Sequence, residues 1–315
     1  MSGRRVKAPV KGKRPSKDRT PLLKLLVVLL AVFLVLAGLV VTKLAERYRD
    51  LVMDFVASEQ AKYDQAHRQE DAEPEDVVTV GGQQVEIDRT LEANQLQSDR
   101  FTRLEDGTII YDGNARYGID VSAHQGQIDW SAVAADGVEF AMLRIGYRGY
   151  SEGALNQDSR FEENYQGATE NGIDVGVYFF SQALDEAEAL IEAHQVIQWL
   201  EGKEIQGPVV FDWEYITHEQ ARTDDLEGDE VTACAVVFCQ EIRKAGYTPM
   251  IYCNGMLGYL GYDLNKLSDV GVWYAEYRSD YPTYAYRIAI WQYTDSGKVD
   301  GIDGNVDRNI WFLED

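Results

Sequence analysis

The chain has 315 residues, 45% hydrophobic and 11% aromatic, with three cysteines and 30 Lys+Arg against 53 Asp+Glu. That length holds one large or two modest domains with a sizeable core. The formal charge of −23 disfavours nucleic acid, whose phosphates are bound through Lys and Arg, and three cysteines without paired spacing exclude a disulfide scaffold or a cysteine zinc site.

The charge is unevenly placed. Residues 1–24 carry nine Lys/Arg and one acid, residues 25–115 carry eight against 17, and residues 116–315 carry thirteen against 35. From Leu25 to Val41 every residue is apolar or glycine. At ~1.5 Å rise per residue the run is at the short end of what crosses a ~30 Å hydrocarbon core. Residues 25–42 are therefore predicted to be a transmembrane signal-anchor helix in a lipid bilayer, preceded by a basic cytoplasmic tail (1–24). Because Lys and Arg crowd the leader and are mixed with acids after residue 42, the chain is expected to be a type II single-pass protein, N-terminus inside. A cleaved signal peptide is the weaker reading: the run exceeds an h-region of about 7–15 residues, and Val41-Thr42-Lys43-Leu44-Ala45 is a poor cleavage site.

Residues 43–115 are expected to form an extracellular helical stalk and spacer. Leu44, Tyr48, Leu51 and Phe55 make a short helical stripe over 43–67. An acidic run broken by Pro74 fills 70–76 and should stay solvated. Val77–Val80, Gly81-Gly82 and Gln83–Ile87 have the form of a hairpin around a Gly-Gly turn.

From residue 116 short apolar runs alternate with helical patterns. Strands are predicted at Tyr117–Ser122, Phe140–Tyr147, Asp174–Ser181, Pro208–Tyr215, Thr248–Asn254, Val270–Tyr277 and Arg287–Thr294. Helices are predicted at Arg160–Asn171, Asp185–Leu200 and Asp229–Ala245, with Gly172, Gly202 and Gly246 as C-caps. Near-continuous apolar strands suit a parallel sheet covered on both faces. The expected fold of residues 116–315 is α/β, an irregular TIM-barrel-like (β/α) barrel. A doubly wound nucleotide-binding sheet is disfavoured, because no Gly-x-Gly-x-x-Gly or Walker loop follows a strand.

In such barrels the chemistry stands at the C-terminal strand ends, and carboxylates stand there. Asp120 closes the first strand, Asp212 and Glu214 the fourth, and Asp307 lies in the last segment. Asp212 and Glu214 are two apart in extended chain, so they share a face and Trp213 takes the other. Their repulsion raises at least one pKa, which leaves a protonated acid beside an ionised one, as glycosidic cleavage requires. No His-x-His, His-Glu-x-x-His or Cys-x-x-Cys occurs, so no metal or other cofactor is expected; an all-carboxylate Mg²⁺ site is the alternative, one that usually serves phosphate substrates. No Gly-x-Ser-x-Gly supports a serine triad. Cys234, Cys239 and Cys253 are expected to be buried thiols, with a bridge to Cys253 left open. Tyr147, Tyr178, Tyr252, Trp273, Tyr277 and Trp291 lie in or at the ends of predicted strands. Ring faces there could hold sugars, with Trp291 assigned to the core.

Eight ordered blocks make the stretch from Tyr117 to Asn309 resemble glycoside hydrolase family 25, the Chalaropsis-type lysozymes (N-acetylmuramidases). They are Gly118-Ile119-Asp120-Val121-Ser122 with Gln125-Gly126 and Ile128-Asp129-Trp130; Phe140-Ala141-Met142-Leu143-Arg144; Gly176-Val177-Tyr178-Phe179-Phe180-Ser181; Val209-Val210-Phe211-Asp212-Trp213-Glu214; Ile251-Tyr252-Cys253-Asn254; Val272-Trp273-Tyr274-Ala275-Glu276-Tyr277; Ile290-Trp291-Gln292-Tyr293; and Val299 through Asn309. The resemblance implies a flattened, irregular barrel that cleaves the β-1,4 bond from N-acetylmuramic acid to N-acetylglucosamine in peptidoglycan glycan strands. It implies Glu214 as general acid and Asp212 as the residue that orients the substrate's acetamido group or stabilises an oxazolinium-like intermediate. Asp120 and Asp307 would tune that pair, and Tyr178, Tyr252, Trp273 and Gln292 would line the sugar groove. Two alternatives accompany this reading: a non-catalytic wall-binding scaffold, and a hydrolase of another N-acetylated glycan such as chitin.

Overall fold

In the computed structural model, which describes Lys43 and residues 77–314 apart from His218, the Gly-Gly hairpin is present. Strand β1 (Val77–Val80) pairs antiparallel with β2 (Gln83–Glu86). Gly81 and Gly82 sit at φ 57° and 82°, the left-handed pair that a two-residue turn requires. The basic tail, the span at 25–42, the stalk helix at 43–67 and the acidic run at 70–76 lie outside the described residues. Among the described residues no helix is long and apolar enough to cross a membrane.

A second hairpin, β3 (Phe101–Arg103) with β4 (Ile109–Tyr111), was not predicted. Its rings pack on the barrel: Phe101 meets Trp291 edge-on at 5.7 Å and Phe312 at 6.0 Å. The described residues 77–314 accordingly fall in one compact unit, so residues 77–114 fold with the barrel although the sequence placed them in the spacer. Isolated aromatics at irregular spacing carry no periodic signal, which is why that attachment was missed.

The remaining strands are β5 (Ala115–Val121), β6 (Phe140–Arg148), β7 (Leu155–Gln157), β8 (Asp174–Ser181), β9 (Val209–Trp213), β10 (Pro249–Asn254), β11 (Gly271–Ala275), β12 (Ile290–Gly297) and β13 (Val306–Phe312). Eight of them close a barrel in the order β5-β13-β12-β11-β10-β9-β8-β6, with β6 returning to β5 and the short β7 added beyond β6. The short β7 is antiparallel to β6, and within the closed barrel the expected parallel sheet is corrected at one strand. Strand β13 runs antiparallel to both β12 and β5, because it returns through a tight connection with no helix.

The predicted helices are α2 (Phe161–Glu170), α3 (Glu186–Trp199) and α4 (Gly228–Lys244); α1 (Trp130–Ala135) is additional and short. The Asp185 carboxylate accepts the Glu188 N–H at 2.9 Å and starts α3. Behind β8 and β9, Phe238 of α4 packs against Phe179 at 6.5 Å and Phe211 at 5.3 Å. Cys234, Cys239 and Cys253 are free and buried. The Arg148 guanidinium of β6 and the Ser181 hydroxyl of β8 both reach the buried Glu192 carboxylate of α3 at 2.6 Å, so removal of either charge would strand the other.

Inside the barrel lies a separate apolar plug that includes Phe140, Met142, Val210, Met250, Trp273 and Ile290. Glycines make room for it. A Cβ on Gly118 would stand 2.5 Å from the Phe140 ring and from its backbone carbonyl, and one on Gly176 would stand 2.5 Å from Met142 Sδ. Because the carbonyl at Gly118 cannot yield as a side chain can, Gly118→Ala should lower unfolding free energy by ~1–3 kcal/mol, read by denaturant titration. Wild-type stability in that variant would contradict the packing described.

Candidate active site

The strand period of two places a polar layer directly above this plug. Gly118 faces the plug, so Asp120 faces the layer above it; Met142 is followed in the same way by Arg144, and Val210 by Asp212 and then Glu214. Antiparallel β13 sets the other side. Its Asp307 is the direct cross-strand partner of Asp120, and its Asn309 is the partner of Gln292 on β12. The four acids named from the sequence therefore do converge.

Asp212 and Asp120 are each only 5% exposed, whereas Glu214 and Asp307 are half-buried. Two donors converge on Asp120 Oδ2: Gln292 Nε2 at 2.8 Å and Asn309 Nδ2 at 2.8 Å. The same Gln292 nitrogen reaches Asp307 Oδ2 at 3.4 Å, and its Oε1 accepts from the hydroxyls of Tyr252 at 3.0 Å and Tyr277 at 2.6 Å. All four hydrogen-bonding positions of the Gln292 amide are filled, so it is locked. Trp273 Nε1 donates to Asn309 Oδ1 at 2.8 Å and fixes the second amide in turn.

Burial decides the charge states. It pushes Glu214 up to about 7, with the negative charge of Asp120 second. Burial likewise pushes Asp307 up to about 8, again with Asp120 as the next cause. Asp212 is raised well above the usual carboxylate range by burial and then by Glu214 and Asp120, against which Arg144 acts. Asp120 is also raised by burial, but hydrogen bonds from Asn309, Gln292 and Asp307 oppose this. One proton shared between Asp120 and Asp307, held on Asp307, fits this donor set. Asp212 Oδ1 is buried without a hydrogen-bond partner, and the Glu214 carboxyl accepts no hydrogen bond from the described residues. The mouth thus offers a poised proton on Glu214 and a vacant acceptor on Asp212.

The aromatic residues divide. Tyr277 is 37% exposed and Tyr178 is half-buried, so both present surface at the mouth. Tyr252 and Trp273, at 7% and 2% exposed, are floor rather than wall. Trp273 packs edge-on under Tyr178 at 5.8 Å and Tyr252 at 5.1 Å. Gln292 is equally buried and acts on acids rather than on the groove. Tyr147 lies beneath the Arg144 guanidinium at 5.3 Å, outside the acid cluster. Trp291 is fully buried on the outer face of the sheet, as the sequence assigned it.

Sequence reasoning gave no role to Arg144, Asn309 or Gln182. Arg144 is held by Asp158 at 2.7 Å and supplies positive charge near Asp212. Gln182, fully buried, accepts from Thr223 at 2.7 Å and donates to the backbone carbonyl of Glu214 at 3.3 Å, which positions that strand end. Counting in twos from Met142 would have found Arg144; nothing local marks Gln182.

The model of the glycosyl hydrolases family 25 matches residues 119–302. The uncharacterized protein YegX of Escherichia coli (strain K12) is 30% identical over 200 residues, which cover 62% of this chain and 69% of that protein. The autolytic lysozyme of Clostridium acetobutylicum is 26% identical over 191 residues, 60% of this chain and 54% of that protein. Among solved structures, the Clostridium perfringens spore cortex lytic enzyme SleM superposes with a TM-score of 0.55 at 26% identity, covering 62% of this chain and 67% of that one. With the family model spanning more than half of the chain and the acid layer complete, this protein belongs to glycosyl hydrolase family 25 and is a lysozyme-like glycoside hydrolase.

Proposed function

We propose that this enzyme is a membrane-anchored muramidase that hydrolyses the β-1,4 bond between N-acetylmuramic acid and N-acetylglucosamine in peptidoglycan outside the cell. The observation that carries the reading is the pairing of a proton-bearing Glu214 with the unpartnered Asp212 Oδ1. The names of the autolytic lysozyme and the spore cortex lytic enzyme support the wall substrate.

In this mechanism Glu214 gives its proton to the glycosidic oxygen as the C1–O bond breaks. Asp212 Oδ1 accepts the N–H of the muramic acid 2-acetamido group, and the acetamido carbonyl oxygen attacks C1 to form an oxazolinium-like ring. Water then opens the ring at C1 and returns its proton to Glu214, so charge and protons balance. Tyr178 and Tyr277 supply ring and hydroxyl surface to the sugars. The Asp120–Asp307 pair, locked by Gln292 and Asn309, keeps a negative charge near Glu214 and holds its pKa up. The two half-sites need no protein nucleophile.

The anchor rests on the apolar run at 25–42 and the basic leader. A barrel domain with thirteen cations against 35 acids gains little from attraction to an anionic wall. The tether is therefore what supplies local concentration.

Digestion of purified peptidoglycan should give new reducing ends on muramic acid by mass spectrometry. Intact wall, or cleavage of chitin in preference, would exclude the proposal. Glu214→Gln should lower turnover on the order of 10³-fold with wild-type unfolding behaviour; wild-type turnover would remove Glu214 from the acid role. The acid must be protonated, so kcat/KM should fall about tenfold per unit as pH rises beyond about 7. A rate flat to pH 9 would contradict that assignment. Protease added to intact cells should remove a C-terminal epitope and spare an N-terminal one, and the reverse pattern would overturn the topology.

A further inference from the structure

Residues 116–315 contain thirteen Lys and Arg. Ten of them have a carboxylate within 4.0 Å. Among the described residues the three that do not, Arg278, Lys298 and Arg308, all line a single hollow of about 400 Å³. On a surface where acids outnumber bases by 35 to thirteen, a concavity lined by four cations and two acids is a local cationic spot.

Each cation is held differently. Arg308 Nη1 donates to Thr108 Oγ1 at 2.7 Å, which also docks the β3–β4 turn beside the barrel. Lys298 Nζ donates to the Gly304 carbonyl at 2.6 Å and to Asn305 Oδ1 at 2.9 Å, both neutral. Arg278 makes no hydrogen bond or ion pair with the described residues. It is also the only non-glycine among them with positive φ, at 64°, a backbone state that arginine rarely adopts. A fourth cation, Arg103, is paired with Asp280 at 2.6 Å. Two acids, Asp106 and Asp295, stand in the same wall. Asp106 accepts the Thr108 N–H at 2.9 Å and stays ionised, held below the usual carboxylate range by Thr108 and also by Arg308, and Asp295 lies close enough to act on Asp307.

The hollow shares a wall with the active site. Tyr277 lines it, and the Tyr277 hydroxyl is the one that donates to Gln292 in the acid cluster. Arg278 and Lys298 lie inside residues 119–302, the span matched to the family, and Arg103, Thr108 and Arg308 lie outside it.

We propose that this hollow binds carboxylates of the peptide stem carried on the muramic acid residue at the cleavage site. The proposal rests on the peptidoglycan reading above. The stem is an anion covalently attached to the sugar that occupies the neighbouring mouth, so binding there costs little additional entropy. Its carboxylates match the planar fork of a free guanidinium. A long polyanion would be repelled by the surrounding acidic surface, whereas a short anionic appendage reaches only the cationic spot.

Two measurements on the full-length chain test this. Calorimetric titration with a free stem tripeptide uses no glycosidic bond, so it reads the hollow even if the chain cuts no wall. The Arg278→Gln/Lys298→Gln double variant should bind that tripeptide at least about tenfold more weakly than wild type. The tripeptide with its carboxylates amidated should weaken comparably on wild type. Equal binding by wild type and variant, or by free and amidated peptide, overturns the proposal and leaves the muramidase assignment standing. In turnover, the wild-type KM should be lower for stem-bearing than for amidase-stripped glycan strands, and the ratio should move toward one in the double variant. A wild-type ratio of one also overturns the proposal. If tripeptide binds as expected and neither glycan is cut, it is the muramidase reading that fails.

Discussion

Four carboxyl groups share the mouth of one barrel above an interior filled with Phe140, Met142, Val210 and Trp273. Removing ionised carboxylates from water is costly, and like charges at short range add to that cost. The site resolves this by holding protons, and the rest of the structure serves to place them. Strand β13 reverses direction so that Asp307 stands opposite Asp120. The amides of Gln292 and Asn309 then favour the ionised form of Asp120. That fixed negative charge, with burial, keeps Glu214 protonated close to neutral pH.

Much of this was legible in the chain. Runs of apolar residues gave the strands within a few positions, and the glycines Gly172 and Gly246 marked helix ends because positive φ is a local mechanism. The shared face of Asp212 and Glu214 followed from the strand period alone. Strand β13 is absent from the predicted strands, since Asp307 and Asn309 enter the barrel and break the apolar pattern; only closure of the sheet makes them interior. Burial of Trp273 was equally invisible, because an aromatic in a strand reads the same whether it faces a plug or a sugar. Gln182 acts through one backbone carbonyl from a distant loop, and no local pattern reports such a contact.

Residues 77–114 show the same limit from another side. Their two hairpins lack the periodicity of a domain, yet Phe101 and Tyr111 pack against Phe312 at 6.0 and 5.1 Å. The second hairpin also brings Arg103 and Thr108 beside Arg308. The net charge of −23 conceals this arrangement as well. Ten of the thirteen cations of residues 116–315 are paired locally with carboxylates, and the other three line one hollow.

The central claim is that the buried acid layer holds a proton on Glu214 near neutral pH. Carboxyl-carbon NMR of the full-length chain, with Glu214 assigned by comparison with Glu214→Gln, measures this directly. A titration midpoint near 7 is the predicted result. A midpoint at the ordinary value of about 4.5 would show that the site does not shield Glu214 from water and would contradict the account.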